Sequence, residues 1–565
     1  RAQKGEDARL YKGVQALSDF CCELGINVPT GKDSLSMTQK YPDGEKVISP
    51  GTVIVSSGGE VSDVRKVVRP VVKNPRNAGA TCACGKAKDP RNSVLYHIDF
   101  SFDQLRLGGS ALAQSLGYVG SDVPTVKNPE YFRDAFNAVQ RCVNEGLLLA
   151  GHDISAGGLL TCLLEMCFAN TKGGLDICLD GFAGSDVVRA LYAENPGVVV
   201  QVNENCKAQF EEIMDEAGVG YQLIGRPSAE RRILVTKDGK EYTFCIDSLR
   251  DVWYATSHEL DTKQSFNGCA DQRAANYKNQ PLRFAIKPEF EGSFASLGIS
   301  PERRTPSGVR AAIIREKGTN GEREMAYAMY LAGFDVKDVT MTDLISGRET
   351  LDEVNFIVFC GGFSNSDVLG SAKGWAGGFL FNPKAKAALD RFYAREDTLS
   401  LGICNGCQLM VEMGLVGAKG QESVPATQNP TAKMLHNNSH KFESCYVGLN
   451  IPQNDSVMFG SLSGSKLGIW VAHGEGKFQL PLSEDNYNII AKYNYSGYPG
   501  NPNGSAYDVA GICSADGRHL AMMPHLERAI FPWQCAWYLE DRRMDEVTPW
   551  IEAFVNARMW VEAQS

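Results

Sequence analysis

The chain has 565 residues, 43% of them apolar and 22% charged, with a net charge of −10, which is enough material for several domains with buried cores. The acidic balance argues against a general nucleic-acid binder, which needs clustered Lys and Arg, and no apolar run reaches the roughly 18 residues of a membrane helix. Seventeen cysteines are too dilute for a small disulfide scaffold, and an odd number cannot all pair within one chain; buried thiols in a reducing cytoplasm are the expectation.

The sequence opens "RAQKGEDARLYKGVQALSDF", with no initiator Met and no signal peptide, and reads as a piece of something longer. Residues 1–75 read as a helix, the loop "INVPTGKDSLSM" and the strand "GTVIVSSGG". Residues 76–93 are rich in Gly, Pro and Lys and read as a linker. Residues 94–285 mix strands ("SVLYHIDF", "GVVVQVN", "YQLIGRP", "RRILVTKDGKEYTFCI") with helices ("GGSALAQSLG", "YFRDAFNAVQRCVNEGLL", "GLLTCLLEMCFAN"). That is an α+β layer pattern. A second linker is placed at 286–308. From 309 to 565 strands alternate with helices, as in "RAAIIREKG", "NGEREMAYAMYLAG", "FDVKDVTM", "FIVFCGG", "LSLGICNG" and "CQLMVEMG". This indicates an α/β domain with a doubly wound parallel sheet.

The chemistry concentrates in "LSLGICNGCQLMVEMG". A zinc site wants four ligands, and the nearest other cysteine pair, Cys82 and Cys84, has different spacing. A redox pair has the right spacing. A buried structural cysteine is the plainest reading. Most features fit a nucleophile elbow: Cys404 stands between Gly402 and Gly406 at a strand-to-helix turn, near a helix N-terminus that favours thiolate. Cys407 falls one turn on and points to packing. A cysteine nucleophile wants a histidine base. Of eight histidines, His525 lies at the end of the strand "HLAMMP", with Glu527 two residues on to orient it. His473, in "WVAHGEGKF", is the second candidate, and His519 is structural. An oxyanion hole is expected from backbone N–H groups near Gly362 and Phe363, after the strand "FIVFC", together with that of Asn405.

In the N-terminal half there is no Walker A sequence. "HDISAGGL" offers Asp153 for Mg²⁺ and the N–H groups of Gly157 and Gly158 for phosphate; a simple helix cap is the alternative. "PTGKDSLSM" offers Lys32, Asp33 and Ser34 on a turn, or merely a solvated loop. "RLGGSALAQ" brings Gly109 and Ser110 toward an anion.

Together, "GICNGCQ", "CGGFSNSDVLG", "REKGTNGERE", "AHGEGKF", "NPNGS" and "MPHLERAI" resemble the class I glutamine amidotransferase domain of the phosphoribosylformylglycinamidine synthase family. "LGINVPTGKDSLSM", "LGGSALAQ" and "GHDISAGGLL" resemble the second half of that family's synthetase region, whose fold is shared with aminoimidazole ribonucleotide synthetase. The resemblance implies a flavodoxin-like glutaminase domain with Cys404 as nucleophile, His525 as base and Glu527 as its orienting acid, and Gly362, Phe363, Asn405, Gln408 and His473 around the glutamine. It implies ATP and Mg²⁺, no organic prosthetic group, Asp153 helping to hold magnesium-nucleotide, and glutamine and formylglycinamide ribonucleotide as substrates. It also implies a cytoplasmic enzyme, monomeric at full length, whose N-terminal part is missing here. Such a piece is expected to lack amidine synthesis and to show weak glutaminase activity. Two departures stand out. Leu526 replaces a usual Pro, and Asn365-Ser366 follow Ser364 where Tyr-Gly is usual. Another cysteine hydrolase on this sheet would ignore glutamine, and a non-catalytic scaffold would tolerate Cys404→Ser.

Overall fold

The computed structural model describes residues 4–32, 37–73, 80–81, 87–88, 92–279, 282–421 and 431–564. The chain divides into two compact units, residues 1–254 and 255–565.

The first unit is built on period-two alternation. In the strand Ser93–Asp99, Val94, Tyr96 and Ile98 enter one core and Leu95 the other. Val200 and Val202 against Val199 repeat this in Gly197–Asn203, because successive side chains leave a strand on opposite faces. Both faces therefore need cover. Helices Pro129–Asn144 and Lys207–Glu216 supply it on one side through Ala135, Cys142 and Phe210. Gly158–Phe168 and Val187–Tyr192 supply it on the other through Leu159, Leu163 and Ala190. The seven strands run in the order Lys240–Cys245, Arg232–Lys237, Gly174–Cys178, Tyr221–Ser228, Ser93–Asp99, Gly197–Asn203, Leu148–Asp153. All neighbours are antiparallel except Arg232–Lys237 beside Gly174–Cys178.

One expectation changes here. The strand expected at "GTVIVSSGG" is not formed; residues 51–59 have no strand assignment, and Val53, Ile54 and Val55 are exposed. A β-branched run has the propensity, but a strand is held by its neighbours. Residues 255–285, read as part of the synthetase-type domain, lie in the second unit. The interdomain linker 286–308 is likewise inside that unit, where Phe290 and Ile299 join its core. The proposed linker 76–93, with Cys82 and Cys84, falls largely outside the described residues.

The second unit carries a nine-stranded sheet. Its first five strands are parallel, in the order Asp335–Thr340, Arg310–Arg315, Phe356–Phe359, Leu399–Ile403, His519–Met522. Phe356–Phe359, Leu399–Ile403 and His519–Met522 are buried along their whole length, as a parallel sheet covered on both faces requires. Counted along the chain the order begins second, first, third, which is the doubly wound arrangement, with its topological switch point between Arg310–Arg315 and Phe356–Phe359. Beyond His519–Met522 the sheet turns antiparallel through Val509–Cys513, Asn488–Tyr493, Glu443–Asn450 and Lys466–His473. That extension is additional to the expected parallel sheet. Among the described residues no helix is long and apolar enough to cross a membrane.

Candidate active site

The strand Leu399–Ile403 ends at Cys404, and the helix Asn405–Glu412 starts one residue later. Cys404 makes the turn alone, at φ 53° and ψ −108°, a conformation that L-residues avoid and that is held only by its surroundings. The flanking glycines allow it. A Cβ on Gly402 would stand 2.5 Å from the Gly406 carbonyl oxygen, and one on Gly406 would stand 2.1 Å from that of Phe359. The thiol is 5% exposed, and its Sγ lies 3.7 Å from the Ala472 carbonyl oxygen.

His525 follows the neighbouring strand His519–Met522. Its backbone N–H donates to Trp470 O at 2.9 Å. Its Nδ1 meets Glu527 Oε1 at 2.6 Å with both side chains buried. Among the described residues the buried Nε2 has the Cys404 side chain as its polar neighbour. Burial by itself pulls the imidazole down. The Glu527 charge and hydrogen bonding to Cys404 and Glu527 overcome it and hold the ring at about 10, against an ordinary 6.5. Sequence reading passed over Gly361. A Cβ there would stand 2.9 Å from His525 Cε1 and 3.2 Å from Cys404 Cβ, so the missing side chain is what leaves thiol and imidazole facing each other.

One of the expected oxyanion donors already has an acceptor. Phe363 N–H donates to Gly318 O at 2.8 Å, and Asn320 N–H donates to Gly361 O at 2.9 Å. These bonds flank the bridge Thr319–Gly362. Gly362 itself sits at φ 119°, a left-handed conformation that suits glycine. Gly362 is the residue between those two bonds, and Asn405 carries a first-turn amide that has no intrahelical acceptor. Phe363 is engaged elsewhere and contributes its ring, 5.9 Å from that of Phe442.

Asn405 is also a hub. Its Oδ1 accepts from Ser364 N–H at 3.1 Å, and its Nδ2 donates to Gln408 Oε1 at 2.9 Å and Asp367 Oδ1 at 3.3 Å. Gln408 Nε2 donates to Glu475 O at 2.8 Å. Each end of Gln408 thus carries one bond to the protein, and its amide braces the turn at Glu475. His473 is not a competing base. Burial, then the nearby His525 charge, push it down to about 3, and Asn503 Nδ2 donates to its Nε2 at 3.0 Å. It is a neutral, buried ring.

After Ser364 the backbone runs left-handed through Asn365, Ser366 and Asp367, at φ 52°, 57° and 48°. Each such L-residue costs about 1–2 kcal/mol, which a glycine escapes. Ser366→Gly is expected to raise stability by about 1 kcal/mol, read as an increase in the urea midpoint at unchanged slope.

The anion-binding expectations for the first unit do not fit. Gly157 N–H and Ala111 N–H both donate to Glu194 Oε1, at 2.8 and 2.7 Å. Gly109 N–H goes to Val119 O, Ser110 N–H to Leu107 O and Gly158 N–H to Ser155 O. The Ser110 hydroxyl donates to Leu107 O and accepts from Ala113 N–H. These groups already have acceptors, and two helix starts share one carboxylate. The Asp153 side chain is 73% exposed beside His152, and the described residues contain no group of three side chains able to hold a metal ion. Lys32 is exposed, and Asp33 and Ser34 lie outside the described residues. Among the described residues these positions converge on no common metal or anion site. Glu194→Ala is expected to destabilise the first unit by about 2 kcal/mol through loss of two charge-assisted bonds, seen as a lower thermal midpoint.

Comparisons with known proteins agree with this division. Residues 308–561 match the CobB/CobQ-like glutamine amidotransferase domain, residues 93–237 the AIR synthase related protein C-terminal domain, and residues 1–60 the FGAR-AT PurM_N-like domain. The chain is similar to the probable phosphoribosylformylglycinamidine synthase, chloroplastic/mitochondrial, of Arabidopsis thaliana, with 37% identity over 99% of this chain and 39% of that protein. It is 38% identical to the phosphoribosylformylglycinamidine synthase of Homo sapiens, over 98% of this chain and 42% of that one. The chain spans about two fifths of the length of these relatives. Among solved structures, PurLQS from Thermotoga maritima overlaps 46% of this chain and 99% of its own, at 24% identity and a TM-score of 0.34.

Proposed function

We infer that this chain, which corresponds to a synthetase-plus-amidotransferase section of the phosphoribosylformylglycinamidine synthases, hydrolyses glutamine in its second unit and releases ammonia for a carbon–nitrogen ligase. The observation that carries the reading is the buried line from Glu527 through His525 to a thiol held on a strained turn. Cys404 attacks the glutamine carboxamide carbon as thiolate, beside the imidazolium of His525. The oxygen, now negative, is held by the N–H groups of Gly362 and Asn405. The tetrahedral adduct collapses, the C–N bond breaks, and His525 gives its proton to the departing nitrogen as ammonia. The same ring, now neutral, takes a proton from water, which cleaves the thioester to glutamate. Glu527 keeps the ring oriented and favours its charged form.

The ammonia serves conversion of formylglycinamide ribonucleotide to its amidine in purine synthesis, in the aqueous phase of the cytoplasm. That ATP-dependent step is assigned to the longer protein, and no residue of this chain is given a role in it.

The test is intact-mass labelling with a glutamine-mimicking electrophile followed by peptide mapping. One adduct on Cys404, suppressed by excess glutamine, supports the reading. Adducts spread over many cysteines and indifferent to glutamine overturn it.

A further inference from the structure

The second unit contains a buried ionic cluster that the mechanism above does not use. Asp261, near the end of the helix Ile246–Gln264, is 5% exposed. Its Oδ1 accepts from Lys441 Nζ at 2.8 Å and the Ser265 hydroxyl at 2.6 Å, and its Oδ2 lies 3.1 Å from Arg273 Nη1. Arg273, on the helix Cys269–Asn276, also pairs with Glu443 Oε2 at 3.5 Å and with the Tyr498 hydroxyl. Glu443, 4% exposed, receives the hydroxyls of Tyr498 and Ser439. Backbone bonds reinforce the grip: Phe266 N–H donates to Ser439 O at 3.0 Å, and Asn267 Nδ2 to Asn438 O at 2.7 Å. Residues 261–273 thus hold the loop 437–443 at many points.

That loop in turn holds the turn beside the thiol. Asn437 is fully buried. Its N–H donates to Gly474 O at 2.9 Å, and its Nδ2 donates to His473 O at 2.7 Å and Lys441 O at 2.9 Å. Its Oδ1 accepts from Gly476 N–H at 3.0 Å. With every polar group engaged, loop and turn move as one piece. The turn meets the nucleophile from two sides. Ala472 O touches Cys404 Sγ, and Glu475 O holds Gln408, which holds Asn405. The Phe442 ring packs on Phe363, next to Gly362.

We propose that Asp261, Arg273 and Asn437 are positioning residues for glutamine hydrolysis: they fix the thiol and the Asn405 donor without touching the substrate. This rests on the glutaminase reading. Asp261 and Arg273 precede the span 308–561 matched by the amidotransferase domain, so the working glutaminase unit is larger than that domain.

The test uses the full chain with Asp261→Asn, Asn437→Ser, their combination, and Arg273→Lys as a charge-conserving variant. Three quantities are read: kcat and KM for glutamine per titrated Cys404, the second-order rate of Cys404 alkylation by iodoacetamide, and the thermal midpoint. A misplacement of about 1 Å costs about 100-fold in rate. Asn437→Ser is therefore expected to lower kcat by about 10- to 100-fold, with KM within about twofold and slower alkylation. Asp261→Asn is expected to follow in the same direction, with Arg273→Lys retaining more activity than either. The double variant should lose no more than the worse single one, because one network carries both effects. Unchanged kcat per titrated thiol with a lowered midpoint would reduce the cluster to a structural role and overturn the proposal. So would losses that multiply in the double variant. If the parent chain turns over no glutamine yet its alkylation rate responds to these variants, the glutaminase reading fails and the positioning of the thiol stands.

Discussion

Cys404→Ser is expected to leave the chain folded and its glutamine hydrolysis reduced by roughly 10⁴-fold or more. The thiolate is the only group in the site that can form the thioester, and a hydroxyl beside the same imidazole remains protonated at neutral pH. Little should change in packing, since oxygen replaces sulfur on a small buried side chain that lies beside the Ala472 carbonyl and the His525 ring. Activity is measured as glutamate released, and folding as the thermal midpoint, which should stay within a few degrees. A serine variant that retained turnover would remove the covalent step. A variant that unfolded would leave the strained turn, rather than the chemistry, as the reason for the cysteine.

The second large effect concerns Glu527. Burial drags His525 down, and Glu527 is foremost among the influences that lift it to about 10. Glu527→Gln removes the charge but keeps the shape, so the imidazole loses its proton at lower pH. In the parent chain the imidazolium persists through neutral pH and is lost as pH rises toward 10. In the variant this alkaline limb of kcat/KM should move toward neutrality, and kcat at pH 7 should fall by roughly 10³- to 10⁴-fold. Cys404 alkylation at pH 7 should slow as well. The sign for stability follows the same group: a raised imidazole stabilises the fold fully below its ordinary 6.5, and that contribution disappears as pH rises through about 10. A pH profile indifferent to the substitution would show that Glu527 does not hold the proton.

Much of the site could be read from the letters because its constraints are local. Glycines two residues either side of Cys404 are needed by backbone approaches within one turn, and His525 and Glu527 are two residues apart. The parallel half of the sheet was legible for a similar reason, since strands buried on both faces read as continuous apolar runs between glycines. What failed depends on distant partners. Nothing near Gly157 or Gly109 reveals that Glu194 supplies the acceptor for both helix starts. Nothing near Phe363 reveals that Gly318 takes its N–H. Asp261 and Arg273 find their counter-charges 180 and 170 residues later, at Lys441 and Glu443, so nothing local ties residues 255–285 to the second unit. Gly361 had a local signal, the doubled glycine, but its purpose lies in the His525 ring across the site.

The pairing of Leu399–Ile403 with His519–Met522 has a temporal consequence. The Ser400 hydroxyl meets His519 Nδ1 from 119 positions away in sequence, and the antiparallel extension is made within that interval. Contacts so far apart carry a loop-closure cost and form slowly. A chain emerging from the ribosome therefore displays its nucleophile well before its base exists. During that interval the thiol has no imidazolium beside it, so the proposed glutaminase would be inactive until His519–Met522 docks.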